Sequence, residues 1–176
     1  MTTRIPALAV LVIASIATPL LTGCGSGYSS SGNSSSAAAK SPTGAATVKT
    51  AGVSGLGTIL VDGQGRTIYL FQGDTGPTST CSGACLANWP AVTTHGTPKA
   101  AGGVLPGKLG VTRRSDGTTQ TTYAGHPLYY YAGDAAAGDA NGQGLNAFGA
   151  AWYVMSPSGG AVTSQASGGG GSPGGY

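Results

Sequence analysis

The sequence has little charge, and it contains no glutamate at all. Charged residues make up 7% of the 176 residues, and the five acidic residues are all well-separated aspartates. Glycoside hydrolysis needs paired carboxylates, and this sequence offers almost none. The eight Lys and Arg residues are scattered singly except for Arg113-Arg114. Because no basic stripe follows a phosphate backbone, nucleic acid is not an expected partner.

Two familiar motifs are present only in part. Residues 142–147 match a Gly-rich dinucleotide fingerprint, but no preceding strand, following helix or later acidic residue completes it. Residues 139–144 resemble the first half of a calcium loop, yet its twelfth position is Ala150, where a glutamate is required. The sequence therefore predicts no catalytic residues, no metal and no cofactor.

The N-terminal segment has the pattern of an export signal. Arg4 is followed by an uncharged run to Leu21, and Leu21-Thr-Gly-Cys24 forms a lipobox. We expect residues 1–23 to be removed as a lipoprotein signal peptide and Cys24 to be lipidated. Lipid on the Cys24 sulfur and an acyl group on its new amine would supply the two signals that stable anchoring requires. The alternative is a transmembrane anchor, because the apolar run approaches the length of a span.

Two segments of low complexity flank the predicted domain. Residues 24–51 and 158–176 are rich in Ser, Gly and Ala and have almost no large apolar side chain to bury. This composition predicts a lipidated tether before the domain and a disordered tail after it. The folded part is therefore predicted to span residues 52–157.

Short apolar runs alternate with turn residues in this folded part, which is typical of β-strands. Residues 58–61 and 66–71 flank Asp62-Gly-Gln-Gly65 as in a β-hairpin. Further strands are predicted at 111–114, 119–123, 126–131 and 152–155, and a short helical turn at 82–88. The predicted fold is an all-β single domain of two related β-meander units with one short helical turn, flanked by disordered tails.

An internal repeat relates the two halves of the domain. Residues 65–74 align with residues 125–134, and the repeats extend over about 58–90 and 111–155. Each repeat carries a tyrosine, a second aromatic residue and an aspartate at the same spacing: Tyr69, Phe71 and Asp74, then Tyr129, Tyr131 and Asp134. Pseudo-twofold packing of two β units is the expected result.

This doubled Tyr-x-aromatic-x-x-Asp motif resembles that of the bacterial secreted-repeat lipoprotein family. The resemblance extends to Cys81 and Cys85 with the following Trp89-Pro90, and it covers most of residues 58–157. It implies tandem repeats on an exported, often lipid-anchored protein whose molecular activity is unknown. The family has no established catalytic residues, so the resemblance transfers none to this chain.

The motif residues have a structural interpretation and a functional one. Asp74 and Asp134 follow strands, where a short carboxylate accepts backbone N–H bonds and shapes a turn. The aromatic residues are expected to pack in the core and across strands. The functional alternative is an aromatic-lined groove that binds a sugar or a quinone-like ring.

Cys81 and Cys85 remain as an even pair once Cys24 is lipidated. Outside the cytoplasmic membrane the compartment is oxidising, so a disulfide between them is predicted. The alternative is a copper-binding or redox site, because Cys-x-x-x-Cys supplies soft thiolates suited to Cu(I). His95 or His126 would then complete the ligand set.

The sequence predicts where the protein works more clearly than what it does. We expect a lipoprotein anchored to the cell membrane and facing the extracytoplasmic side. Its predicted role is a non-catalytic binding or structural module of the cell envelope, with a copper or electron-transfer protein as the alternative. Its partner at the anchor is the membrane, and the sequence names no further ligand.

Overall fold

The computed structural model describes residues 44–164, which form a mostly β structure of three small sheets. The strands in this range are β1 (Thr47–Val53), β2 (Gly57–Asp62), β3 (Tyr69–Phe71), β4 (Lys99–Ala100), β5 (Leu109–Arg113), β6 (Thr119–Tyr123), β7 (His126–Pro127), β8 (Asn146–Ala147) and β9 (Ala150–Val154). One short helix, α1 (Ala84–Asn88), and a 3-10 turn at Pro106–Lys108 complete the elements of this range. The predicted all-β fold with one helical turn is confirmed.

Several predictions for the chain ends fall outside the described residues. They concern the signal peptide at 1–23, the lipidated Cys24, the tether before residue 44 and the tail after residue 164. Within residues 44–164 no helix has the length and hydropathy needed to cross a bilayer.

The β structure begins before the predicted domain start at residue 52. β1 pairs antiparallel with β2 from Val48 to Val53, and β4 pairs with β1 in parallel on its other side. Val48 is fully buried. The composition around β1 conceals it, because only this one large side chain of the strand is fully buried. At the other end Val162 donates a backbone hydrogen bond to Val154 at 3.0 Å, so β structure also extends past residue 157.

The predicted hairpin is present, and one buried aspartate holds its turn. Asp62 Oδ1 accepts hydrogen bonds from the backbone N–H groups of Gln64 and Arg66, both at 2.9 Å. Asp62 Oδ2 accepts a further bond from Arg66 Nε at 2.8 Å. A short carboxylate that binds the backbone a few residues on is a common way to close such a turn.

The predicted strands at 66–71 and 126–131 are each divided between two neighbours. The first leaves β2 after the Val61–Thr67 bridge and continues as β3, which pairs with β9. The second begins as β7 beside β6, after which Tyr129 pairs with Tyr69. Both segments therefore cross from one sheet to the next, which a pattern of apolar residues along the chain does not reveal.

The two repeats exchange their last strands. β3 of the first repeat pairs with β9 of the second. In return, Tyr130 and Ala132 of the second repeat donate backbone hydrogen bonds to the carbonyls of Pro90 and Asn88 in the first, both at 2.8 Å. The two meander units are thus interlocked, because each repeat supplies the segment that completes the other.

Tyr69 and Tyr129 lie where the repeats meet. Each donates its backbone N–H to the carbonyl of the other, at 2.8 and 3.0 Å. Matching bonds recur further out: Leu60 N–H donates to Met155 O, and Thr121 N–H donates to Val92 O, both at 2.8 Å. This repetition of equivalent bonds is the pseudo-twofold relation that the sequence repeat predicts.

Two clusters of buried side chains form the core. One is mainly aliphatic, with Val48 and Leu60 of the first repeat beside Leu128 of the second. The other contains Tyr69, Trp89, Tyr129 and Trp152 from both repeats. Each fully buried large side chain contributes about 1.5–3 kcal/mol. Removing one repeat would therefore exceed the net stability of about 5–15 kcal/mol that a domain of this kind has.

We predict that neither repeat folds alone. Fragments 44–104 and 105–164 should each give no cooperative thermal transition by circular dichroism, because each lacks the strand that the other supplies. Mixing the fragments should restore the transition of the intact domain, which serves as the control. A cooperative transition in either fragment by itself would show that the strand exchange is dispensable.

Candidate functional site

The motif tyrosines and aspartates bond across the repeats. Tyr69 Oη in the first repeat donates to Asp134 Oδ2 in the second at 2.7 Å. Tyr129 Oη in the second repeat donates to Asp74 Oδ2 in the first, also at 2.7 Å. Both tyrosines are fully buried. The four residues therefore form two matched bonds that join the repeats.

The second oxygen of each motif aspartate holds the loop that follows it. Asp74 Oδ1 accepts bonds from the Thr80 backbone N–H at 2.7 Å and from Thr80 Oγ1 at 2.9 Å. Asp134 Oδ1 accepts the Asn141 backbone N–H at 2.9 Å. These are bonds of the kind that the turn-forming interpretation requires, although they reach six and seven residues along the chain. Each aspartate thus orders a loop and binds the other repeat at once.

Burial decides the protonation of these groups. It raises the pKa of Tyr69 and of Tyr129 well above the usual tyrosine value, so both hydroxyls stay protonated donors at neutral pH. Burial also raises the pKa of Asp134, while the hydrogen bond from Tyr69 acts in the opposite direction. A tyrosine with a raised pKa is a poor general base near neutral pH. These groups hold structure and are not arranged for proton transfer to a substrate.

Four aromatic rings stack on one another across the repeats: Phe71, Trp152, Trp89 and Tyr131. The two tryptophans form the centre, with ring centroids 3.9 Å apart and planes 4° from parallel. Phe71 covers Trp152 at 4.2 Å, and Tyr131 covers Trp89 at 4.4 Å. Stacked pairs of this kind add about 0.5–1.5 kcal/mol each beyond the burial of their surface.

The stack leaves no room for a ring-shaped ligand. A Cβ added to Gly73 would come within 2.5 Å of the Phe71 ring, and Gly133 lies against the Tyr131 ring in the same way. A Cβ added to Gly142 would lie 2.8 Å from Trp89. Backbone therefore contacts three of the stacked rings. The sugar or quinone alternative has no cavity here, because the rings bind one another.

Cys81 and Cys85 form a disulfide. Their Cα atoms are 5.3 Å apart, within the usual range of about 4.4–6.8 Å. Both residues are buried in the cluster that contains the stacked aromatic rings. Because the sulfurs are bonded to each other, neither is a thiolate that could bind copper.

The predicted histidine ligands are not gathered into a metal site. His126 lies in β7 opposite Tyr123, whereas His95 lies in the segment between the repeats. The part of the chain from 44 to 164 holds no cluster of three or more His, Cys, Asp or Glu side chains that could bind a metal. The copper alternative therefore has neither free thiolates nor an assembled ligand set in these residues.

Arg114 is a buried cation to which sequence reasoning assigned no role. Its guanidinium donates to the Cys81 carbonyl at 2.6 Å, to Ser79 Oγ at 2.6 Å and to Gln120 Oε1 at 2.7 Å. Such partners are required because an unpaired buried charge is costly. Arg113 is exposed, since neighbouring side chains of a strand point to opposite faces. Arg114 thus binds the disulfide loop of the first repeat from within the second.

A groove lies in the segment between the repeats, beside β4 and β5. Its volume is about 500 Å³, and the walls include Pro98, Ala100, Pro106, Leu109 and Val111. It shares Thr119 with an adjoining pocket of about 340 Å³ that His95 and Arg113 line. Ligand sites commonly have volumes of about 300–1,000 Å³. This pair of pockets, hereafter the groove, is the candidate binding site.

Sequence reasoning missed the groove because residues between the repeats match neither copy of the motif. The available signal was modest: Pro98, Pro106 and Leu109 are apolar residues in an otherwise Gly-rich connection. Only the fold brings the connection beside β5 and makes a concave surface from it.

We predict that the Tyr69–Asp134 bond couples the repeats energetically. Tyr69→Phe and Asp134→Ala should each lower the free energy of unfolding by about 1–3 kcal/mol, because each leaves a polar partner unsatisfied. In a double-mutant cycle by urea denaturation, the coupling should be about 0.5–3 kcal/mol. The control pair is Tyr69→Phe with Asp74→Ala, which lies in the same repeat and should give little coupling. Stronger coupling in the control pair would contradict the crossed arrangement.

We predict that two aspartates titrate on opposite sides of the usual value. Hydrogen bonds from the Thr118 hydroxyl and N–H lower the pKa of Asp116 to about 2, whereas burial raises the pKa of Asp134. Asp116 therefore stabilises the fold above its unfolded value of 3.8, and this contribution is lost as the pH falls through about 2. Asp134 favours the fold below its unfolded value, and this is lost as the pH rises through its folded pKa. Carboxyl-carbon NMR titration should resolve the two, and equal pKa values would contradict the prediction.

Comparison with known proteins locates the repeats independently. The sequence model of Lipoprotein_15, described as a secreted repeat of unknown function, matches residues 50–93 and again residues 110–156. Neither a curated protein nor a solved structure matches the chain. The two matched segments contain both copies of the Tyr-aromatic-Asp motif and together cover just over half of the chain. The chain therefore belongs to this secreted-repeat family and carries two copies of its repeat.

Proposed function

We propose that the protein is a lipid-anchored binding module on the outer side of the cell membrane, with no catalytic activity of its own. Membership of a secreted lipoprotein family implies an extracytoplasmic location. The lipobox at Leu21–Cys24 supports Cys24 as the anchored residue. The Ser- and Gly-rich residues before β1 would act as a tether that lets the domain reach beyond the headgroups.

The open groove is the observation that carries the binding function. The hydroxyls and carboxylates of the repeat motif are engaged with one another inside the fold, so they are not free to act on a substrate. The groove offers apolar walls at Pro98 and Leu109 and a cationic side chain at Arg113. Such a combination supports ligand binding, because apolar surface supplies affinity and a few polar groups orient the ligand.

The disulfide supports a rigid module over a redox protein. Cys81 and Cys85 are buried, and Arg114 holds the loop between the repeats by its bond to the Cys81 carbonyl. A disulfide used in electron transfer would be expected to be exposed to its redox partner. We therefore propose that this bridge stabilises the loop that carries it.

We predict that Cys24 is the lipidated N-terminal residue of the mature protein. Mass spectrometry of the membrane-bound chain should find a lipid-modified Cys24 and no residues 1–23. Cys24→Ser should abolish the modification and reduce partition into the detergent phase, because the sulfur is the lipid acceptor. Ser26→Ala, which leaves the lipobox intact, is the matched control. Recovery of membrane-bound chain with intact residues 1–23 and unmodified Cys24 would contradict the anchor.

A further inference from the structure

We infer that the groove binds an extended, acidic peptide segment of another envelope protein, which adds as a strand to the open edge of β5. This inference rests on the proposed binding function and specifies its ligand. It follows from three features of the described residues: an unpaired strand edge, an apolar wall beside that edge and a cationic end.

The first feature is the outer edge of β5. This strand pairs with β6 on one side and is the outermost strand of its sheet. On the β6 side, Lys108 O accepts from Ala124 N–H at 2.8 Å, and Arg114 N–H donates to Thr118 O at 2.9 Å. Antiparallel strands alternate inward and outward backbone groups, so the backbone groups of Val111 and Arg113 point away from β6.

These outward groups are available to a ligand. In residues 44–164 no hydrogen bond to another element uses the backbone of Val111 or Arg113. Val111 is 50% exposed, and the side chain of Arg113 is also exposed. Natural proteins usually protect such an edge with proline, lysine, a bulge or a covering loop. Within Leu109–Arg113 there is no proline or lysine, so the edge is a template for a further strand.

The second feature is the apolar wall beside this edge. Leu109 and Val111 lie two residues apart on β5 and therefore share one face of the strand. Pro98, Ala100 and Pro106 line the same groove. An added strand presents alternate side chains to one face, so apolar residues at every second position of the ligand would enter this part of the groove.

The third feature is the cationic end of the groove. Arg113 lies on the same strand face as Val111, and it lines the groove together with His95. Arg66 and Arg114 are paired with Asp62 and Asp116, whereas Arg113 has no carboxylate partner in the described part of the chain. No aspartate lines the groove. An acidic side chain of the ligand would therefore complement Arg113.

A peptide matches these features together better than an anionic lipid or polymer does. A phosphate headgroup would bind Arg113 but would leave the backbone groups of Val111 unpaired. A peptide backbone offers N–H and C=O groups with the spacing of a β ladder. The ladder supplies affinity, while the alternating side chains supply specificity.

Fluorescence anisotropy of a labelled octapeptide with alternating valine and aspartate tests the inference. The natively processed protein in nonionic detergent should bind it saturably and should not bind the same peptide with lysine in place of aspartate. Arg113→Glu should weaken binding at least tenfold. Lys49→Glu, which makes the same charge change on β1 outside the groove, should leave binding unchanged.

A second variant tests the strand edge itself. Val111→Pro removes an N–H that faces away from β6, so the β5–β6 ladder should persist while peptide binding is lost. Its melting temperature reports whether the fold is retained, and Arg113→Glu supplies the test if it is not. Unchanged peptide binding by folded Val111→Pro would overturn the inference.

Two further outcomes separate this inference from the proposed function. Absence of binding to the acidic octapeptide would overturn the peptide ligand. Binding of phosphatidylglycerol vesicles that depends on Arg113 and survives Val111→Pro would also overturn it, while leaving a binding module in place. Lipidation of Cys24 is measured independently, so its failure would contradict the anchor and not the groove.

Discussion

The pairing of Tyr69 with Tyr129 is the contact on which the rest of the structure depends. Their backbones bond reciprocally, and each side chain reaches an aspartate of the other repeat. The stacked tryptophans Trp89 and Trp152 lie beside them, with one ring from each repeat. Because every one of these contacts needs both copies, the repeat is a unit of sequence but not a unit of folding. Two copies in one chain bring the halves together without the entropy cost of assembling separate molecules.

This arrangement explains why the most recognisable residues of the chain are remote from ligand binding. The aromatic and acidic residues of the motif meet one another in the interior, where burial holds the tyrosines as neutral donors. Buried polar groups of this kind stabilise one arrangement of strands, since an unmade bond in the interior is costly. The surface that remains open lies in the connection between the repeats, which is the part of the chain that the symmetry does not constrain. A rigid repeat pair would thus support a binding surface that can vary in sequence without loss of the fold.

Much of the fold follows from local sequence patterns. The hairpin around Asp62 and the helical turn before Trp89 come from turn residues and apolar runs that act over a few positions. The start of β1 does not follow from them, because Val48 gains its burial from residues that are distant in sequence. The division of residues 126–131 between two neighbours is also invisible locally, since a strand that changes partner keeps the same side-chain alternation.

The sequence by itself determined the fold class, the repeat and the family, because strand periodicity and a duplicated motif are properties of the chain. Only the tertiary structure decided which tyrosine binds which aspartate. The two copies carry the same residues, so Tyr69 could equally have bonded Asp74 by chemistry alone. The strand exchange places Asp134 beside Tyr69 and selects one of two otherwise equivalent pairings. The groove has the same origin, since residues 96–100 and β5 form a concave surface only after the chain has folded.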